Sequence, residues 1–454
     1  MFSTKVKEFL EKKDLKGLQD ILNSETPINI ALFIKEVEEN EEDENNILII
    51  FRLLNKEIAA EVFAELDSDL QMKIVNTMTD TKLQSLLDEL FFDDMIDFIE
   101  EMPSNVVKRV LENYKNENRS LINQFLSYEE DSTGSLMTIE YLSLKSNWTV
   151  IESLNYIRKK VKDLETIDVA YVIDNKKLLM GEISLRNLLL ADDNDTVENI
   201  MNRHVLYVTT STNQEEAVEL FKKYDLTVLP VIDKENILVG IITIDDMVDV
   251  IEEENTEDFQ KMAAMAPSKE EYLESSVFEL AKNRLMWLLV LMVSATFTGT
   301  IISKYENIIE QMVVLAAAIP MLMDTGGNAG SQSSTLIIRG MALGEIKTED
   351  WYKVIWKELR VGLVVAFGLG IINFGRMRFI LGQDMKISFL VSFTLGAVVV
   401  IAKLVGGVLP IGAKKLKLDP AIMAGPLVTT IVDAMALMLY FYIAMFLYKD
   451  VLSI

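Results

Sequence analysis

The chain has 454 residues, too many for one ordinary domain, and a formal charge of −26 that is unevenly spread: 16 basic and 11 acidic residues lie from Lys282 onward, leaving −31 on the first 281. So acidic a half excludes nucleic acid as a partner, because phosphate binding needs the opposite sign. With no cysteine and one histidine, His204, disulfides, thiolate metal centres and imidazole zinc sites are excluded as well.

The opening MFSTKVKEFLEKKDLKGL lacks the apolar core of a signal peptide, so the acidic half is expected in the cytosol. Residues 1–130 repeat apolar and charged positions at helical spacing without Val/Ile/Thr runs, which predicts an all-α domain of short stacked helices. KEIAAEVFAELDSDLQMKIVNTM and FDDMIDFIEEMPSNVVKRVLENY read as two copies of a helix hairpin, the second turning at Pro103-Ser104. The like-charge run Glu36 to Glu44 reads as a solvated linker or helix end.

From Asp131 the texture becomes β-α-β and a repeat emerges, with Met137 matching Met201, Ile173-Asp174 matching Ile232-Asp233, and Gly181 matching Gly240. Unit boundaries are expected at 131–193 and 194–253. The order of turn, helix, strand, Gly-turn, strand and helix resembles a tandem pair of CBS domains. That family often binds an adenosine nucleotide through a Ser/Thr followed three residues later by Asp. Thr243 and Asp246 keep the pattern, whereas Ser184 and Asn187 lose the carboxylate. The resemblance thus leaves ATP binding and a ligand-free dimerisation role both open. A connecting helix is expected over 254–281. Helical spacing puts Asp246, Asp249, Glu253 and Glu257 near one face, a solvated surface or a cation site.

Residues 282–454 hold five apolar segments, near Met286 to Ile302, Met312 to Ile338, Val361 to Leu381, Ile387 to Pro410 and Ile422 to Tyr448. Basic residues before the first and in the loops after the second and fourth predict a cytoplasmic N-terminus and an extracytoplasmic C-terminus. In the second segment Pro320, Gly326, Gly327 and Gly330 predict an interrupted helix, and Asp324, Asn328, Ser331, Gln332, Ser333, Ser334 and Thr335 are too polar to face lipid. Such residues either line water or pack helices closely. The fifth segment contains one acid, Asp433. A carboxylate at that depth costs about 2.5–3.5 kcal/mol and needs a cation, a cavity or a partner; similar depth makes Lys403 the competing partner.

Here a larger pattern is complete. EEDSTGSLMTIEY, TIDDMVDVIEEENTEDFQKM, PMLMDTGGNAGSQSST and DPAIMAGPLVTTIVD, in that order, resemble the MgtE family of magnesium channels and transporters nearly end to end. The resemblance implies a multi-domain α-helical protein of the cell membrane acting as a homodimer: a superhelical all-α N-domain, a CBS pair, a plug helix and five spans. It implies a pore acid at Asp433, helped by Thr429 and the carbonyl near Gly425, selecting hydrated Mg²⁺. It further implies closure when cytosolic Mg²⁺ binds acids at Asp246, Asp249, Glu254, Glu257 and Asp258, at Glu215 and Asp225, and at Asp93, Asp94 and Asp97. A coupled carrier of another divalent ion such as Co²⁺, and a membrane-tethered CBS sensor without transport, remain the other readings. No Walker loop, Ser/His/Asp set or metalloprotease helix is present, so no enzyme is expected.

Overall fold

Helical spacing in the first 130 residues produces ten short helices among the described residues, from Phe2–Lys12 to Asn116–Phe125. Helices this short are marginal alone, so each depends on burying its apolar stripe against neighbours. The first hairpin copy folds as Lys56–Ala64 and Ser68–Thr77, the latter capped by Asp67, whose Oδ1 accepts the Leu70 N–H at 2.9 Å. The second folds as Phe92–Glu101 and Ser104–Asn113, turning at Pro103 as its sequence predicts. Phe51, Phe63 and Phe98 meet edge to face, with centroids 6.2 and 5.2 Å apart, and tie the copies together.

The computed structural model describes residues 2–39, 44–113, 116–268, 272–273 and 275–448; the centre of the acidic run, 40–43, lies outside them. The chain divides into two compact units, Met1–Ile251 and Glu252–Ile454.

In the first unit the repeat forms two three-stranded sheets, Ser143–Lys145, Val169–Ile173 and Leu179–Ser184 in one, Val208–Thr209, Val228–Ile232 and Leu238–Thr243 in the other. In each the first two strands are parallel and the last two antiparallel, and the ladder slips at equivalent places, Val172/Ile173 and Val231/Ile232. The matched Met and Gly residues explain why two copies are needed. Met201 packs on Gly181 of the first copy and Met137 on Gly240 of the second, where a Cβ would lie 2.7 and 2.8 Å from the respective Sδ atoms. Each copy fills the other's gap. Met137, Phe221, Leu229 and Met247 continue the core of the helical array into the second copy.

The second unit contains five long helices: Val277–Lys304, Val313–Ala342, Trp351–Gly375, Met385–Lys415 and Gly425–Leu447. Among the described residues three stretches are long and apolar enough to cross a membrane, Val277–Lys304, Met385–Lys415 and Pro420–Leu447. The other two long helices carry polar and charged residues, among them Asp324 and Gln332, and Lys357 and Glu358. The expected break in the second helix is corrected, for Val313–Ala342 runs unbroken with Pro320 inside it. Its glycines serve packing instead: a Cβ at Gly326, Gly327 or Gly330 would come within 2.7 Å of Val398, Thr429 or Val428 respectively. The stretch 254–281 is not one helix either. Ile244–Met262 leads straight from the last strand, and the next helix begins at Val277.

Candidate functional site

The last helix begins where the chain needs glycine. Gly425 has φ +39°, and a Cβ there would lie 2.7 Å from the carbonyl oxygen of Met262. The Gly425 carbonyl accepts a hydrogen bond from Thr429 Oγ1 at 2.9 Å, and Ser331 Oγ stands 3.5 Å from both. Two turns beyond Gly425, Asp433 has a buried Oδ1 with no hydrogen-bond partner. Asp324 is the charged side chain that bears on it electrostatically, and Asn328 Nδ2 donates to Asp324 Oδ1 at 3.2 Å. Oxygen atoms of the two helices thus fall in two groups, the acids Asp324 and Asp433 in one and Ser331, Thr429 and the Gly425 carbonyl in the other. Oxygen-rich, partly open surroundings suit a hydrated hard cation.

Sequence reasoning assigned Asp433, Thr429 and Gly425 to a pore but named Asp324, Asn328 and Ser331 only among the residues too polar to face lipid, which line water or pack helices. Their spacing was the available signal, because i, i+4 and i+7 share a helix face. The polar residues of that helix divide: Asp324, Asn328 and Thr335 are exposed, while Ser333 and Ser334 are buried. Ser334 Oγ donates to the Met423 carbonyl at 2.9 Å.

The competing ion pair between Asp433 and Lys403 is not formed. Lys403, buried, donates to Ser333 Oγ at 3.4 Å, and Ser333 donates to Glu358 Oε2 at 2.6 Å. Lys403 thus has an acid of its own on a different helix, and equal depth along two helices did not mean the same face.

In the first unit Asp93, Asp94 and Asp97 share one helix; Asp246 acts on all three electrostatically, and Glu165 on Asp93. Burial, then the Asp246 charge, pushes Asp93 up to about 9 and Asp94 to about 6; burial, then Asp94, pushes Asp97 to about 7. Glu165 rises to about 8 from burial and Asp246. Asp246 is raised by burial, against the bond it accepts from Thr243 Oγ1 at 2.6 Å. Glu165 precedes a strand in no recognisable motif, so nothing in the sequence singled it out. Glu215 and Asp225 stand at opposite ends of Gln214–Tyr224, about 15 Å apart by helical rise, and do not converge.

Asp249 and Glu254 lie on the helix Ile244–Met262. At its second-unit end Lys261 donates to Asp419 Oδ2 at 2.6 Å and pairs with Glu257. Burial disfavours the ammonium, but those bonds prevail and raise its pKa. Asp258 is pushed up to about 6 by burial and then by Asp419. An acid immediately before an apolar span was the overlooked signal for Asp419. Among the described residues, no group of three or more His, Asp or Glu side chains is arranged to hold a metal ion. The acids crowd together without forming a cage.

A family model described as MgtE, divalent cation transporter, matches residues 319–443; the MgtE intracellular N domain matches 25–131, and a CBS domain matches 197–253. The chain is 35% identical to the magnesium transporter MgtE of Thermus thermophilus, over 98% of each chain. It is 28% identical to that of Bacillus subtilis, over 95% of this chain and 94% of the other. Among solved structures it is similar to the cytosolic domain of the Mg²⁺ channel MgtE in complex with ATP, at 35% identity and TM-score 0.51, covering 55% of this chain and 99% of that one. The soluble part of a magnesium transporter matches at 25% identity and TM-score 0.52, over 56% and 98%.

Proposed function

This chain belongs to the MgtE family, a membrane transporter family rather than an enzyme family, and from that premise we propose that it conducts Mg²⁺ through a pore lined by its last helix and closed by Mg²⁺ on the cytosolic side. The observation that carries the reading is Asp433, an acid within an apolar helix whose buried oxygen has no protein donor. In a homodimer two such helices flank one axis, so two Asp433 carboxylates attract a hydrated divalent ion that Thr429, Ser331 and the Gly425 carbonyl guide to and from them. Outer-shell contacts of this kind suit Mg²⁺, which dehydrates reluctantly and must still leave. The five long helices act as five spans, with the N-terminus cytoplasmic, as the basic loops favour.

The acids of the cytosolic half act as the sensor. Asp93, Asp94 and Asp97 with Asp246 form one cluster; Asp249, Glu254, Glu257 and Asp258 follow along the connecting helix, with Glu215 and Asp225 at the ends of another. Bound Mg²⁺ offsets their repulsion and favours the closed arrangement, in which the end of the connecting helix stands over Gly425. Closure requires tighter Mg²⁺ binding in that state than in the open one. Thr243 and Asp246 supply a hydroxyl and a carboxylate for ATP at the strand–helix junction, a role favoured by the ATP complex of the related cytosolic domain.

The test is Mg²⁺ influx into liposomes of known protein orientation, without a proton gradient. Downhill influx that falls as Mg²⁺ rises on the cytosolic face is expected, and Asp433→Ala abolishes it while the dimer stays folded. Unchanged influx in that variant removes the pore assignment, and influx that requires a proton gradient replaces the channel with a coupled carrier.

A further inference from the structure

A pocket of 390 Å³ opens in the N-terminal helical array, far in sequence from every acid assigned above except the 93–97 group. Its lining comes from the helices Glu44–Leu53, Lys56–Ala64, Ser68–Thr77 and Asp80–Leu87 and the turns between them. Phe51, Ile74 and Leu86 are buried apolar wall; Arg52, Lys56 and Lys82 are exposed cations. No acid lines it, although acids far outnumber bases in this part of the chain.

The cations are not committed elsewhere. None of the three makes an ion pair among the described residues, whereas Lys73 pairs with Glu38 and Arg109 bonds Asp80 at 2.6 Å. The acids nearest in sequence are paired with other cations: Asp80 with Arg109, and Glu57 with Lys162 at 3.8 Å. Lys56 and Lys82 stand in the first turns of their helices, where a cation opposes the helix dipole and unpaired N–H groups already favour an anion. The caps of both helices, Asn55 and Thr79, make no side-chain capping bond. Three exposed cations without an ion pair among the described residues thus border one apolar wall and are free to meet an anion.

We propose that this pocket binds a small phosphate monoester, its dianionic head held by Arg52, Lys56 and Lys82 and its apolar body against Phe51, Ile74 and Leu86. Three cations match a dianion better than a carboxylate, and Arg presents a fork suited to phosphate oxygens. The wall selects esters over free phosphate, because a buried apolar body adds the transfer energy of its carbons.

The probe is phenyl phosphate, titrated calorimetrically into the full chain in detergent with chelator present and salt near 0.15 M, where diffuse charge is screened beyond about 8 Å. One saturable site per chain is expected, binding phenyl phosphate at least about tenfold tighter than inorganic phosphate. R52A/K82A weakens it about tenfold or more without changing the helical content, and S85F, which fills the pocket, does the same by exclusion; K16A, an exposed lysine outside the pocket, leaves it unchanged. Equal affinity for the two phosphates, undiminished binding in both pocket variants, or an equal loss in K16A overturns the proposal.

Discussion

Asp433 and Lys403 both place a charge within the helical bundle, and the structure gives them opposite circumstances. Lys403 has Ser333 and, through it, Glu358, so charge, hydroxyl and countercharge satisfy one another where water is scarce. Removing one member leaves the other buried and uncompensated, which costs about 3–5 kcal/mol. Lys403→Met is therefore expected to lower the unfolding temperature of the detergent-solubilised chain, and adding Glu358→Gln to recover most of the loss. A single variant as stable as the parent would show that Glu358 needs no countercharge. Asp433 has no such partner, and its neighbour Asp324 is another acid, exposed and bonded to Asn328. Asp324→Asn keeps the hydrogen-bonding shape and removes one charge from the path. Mg²⁺ influx should fall several-fold but not vanish, in contrast to Asp433→Ala, and an unaltered influx would take Asp324 out of the path.

Helices in the membrane half are joined by small residues. Gly406 faces the backbone of Gly330, and a Cβ there would overlap the Gly330 carbonyl oxygen, which cannot rotate away as a side chain can. Gly406→Ala should destabilise the bundle by roughly 1–3 kcal/mol, the usual range for overpacking, read as a lower unfolding temperature in detergent. A stable Gly406→Ala would mean that the two helices separate at no cost. The same contacts explain what the sequence could and could not reveal. Period-2 and period-3.6 patterns, the Pro103 turn and the Met and Gly positions of the repeat were legible because they are local or recur at a fixed offset. A glycine-rich stretch reads as a break when helix propensity alone is considered, but Gly326, Gly327 and Gly330 are held helical by neighbours more than 60 residues away in sequence. Lys403 and Asp433 failed for a related reason: depth follows from counting residues, whereas the face presented follows from packing. Glu165 enters its cluster through tertiary proximity, which no local spacing encodes.

At the scale of the whole molecule the acidic half stores a dependence on protons that, under the proposed gating, doubles as a dependence on Mg²⁺. Folding raises Asp93 to about 9, Glu165 to about 8, Asp97 to about 7 and Asp94 to about 6, in each case chiefly by burial. Unfolded carboxyls titrate near 4. Between pH ~4 and ~9 the folded chain therefore holds more protons than the unfolded one, so the stability these groups contribute is present below pH ~4 and is lost as pH rises through the folded values. In chelator, the unfolding temperature of the first unit should fall steadily from pH 5 to pH 9. A divalent ion offers the same neutralisation without a proton, so Mg²⁺ added at pH 8 should restore the loss. Near pH 7 it should also release protons, measurable with an indicator in weak buffer, because ion and proton compete for the same oxygens. Replacing Asp93, Asp97 and Asp246 together with Asn should remove most of both the proton release and the Mg²⁺-dependent stabilisation. A flat pH profile, or Mg²⁺ binding that releases no protons, would mean that these carboxyls are already ionised when the ion arrives. Specific binding to ionised carboxylates and screening of surface charge would then be the two remaining modes, and only in the second would ordinary salt at equal ionic strength close the pore as well as Mg²⁺ does.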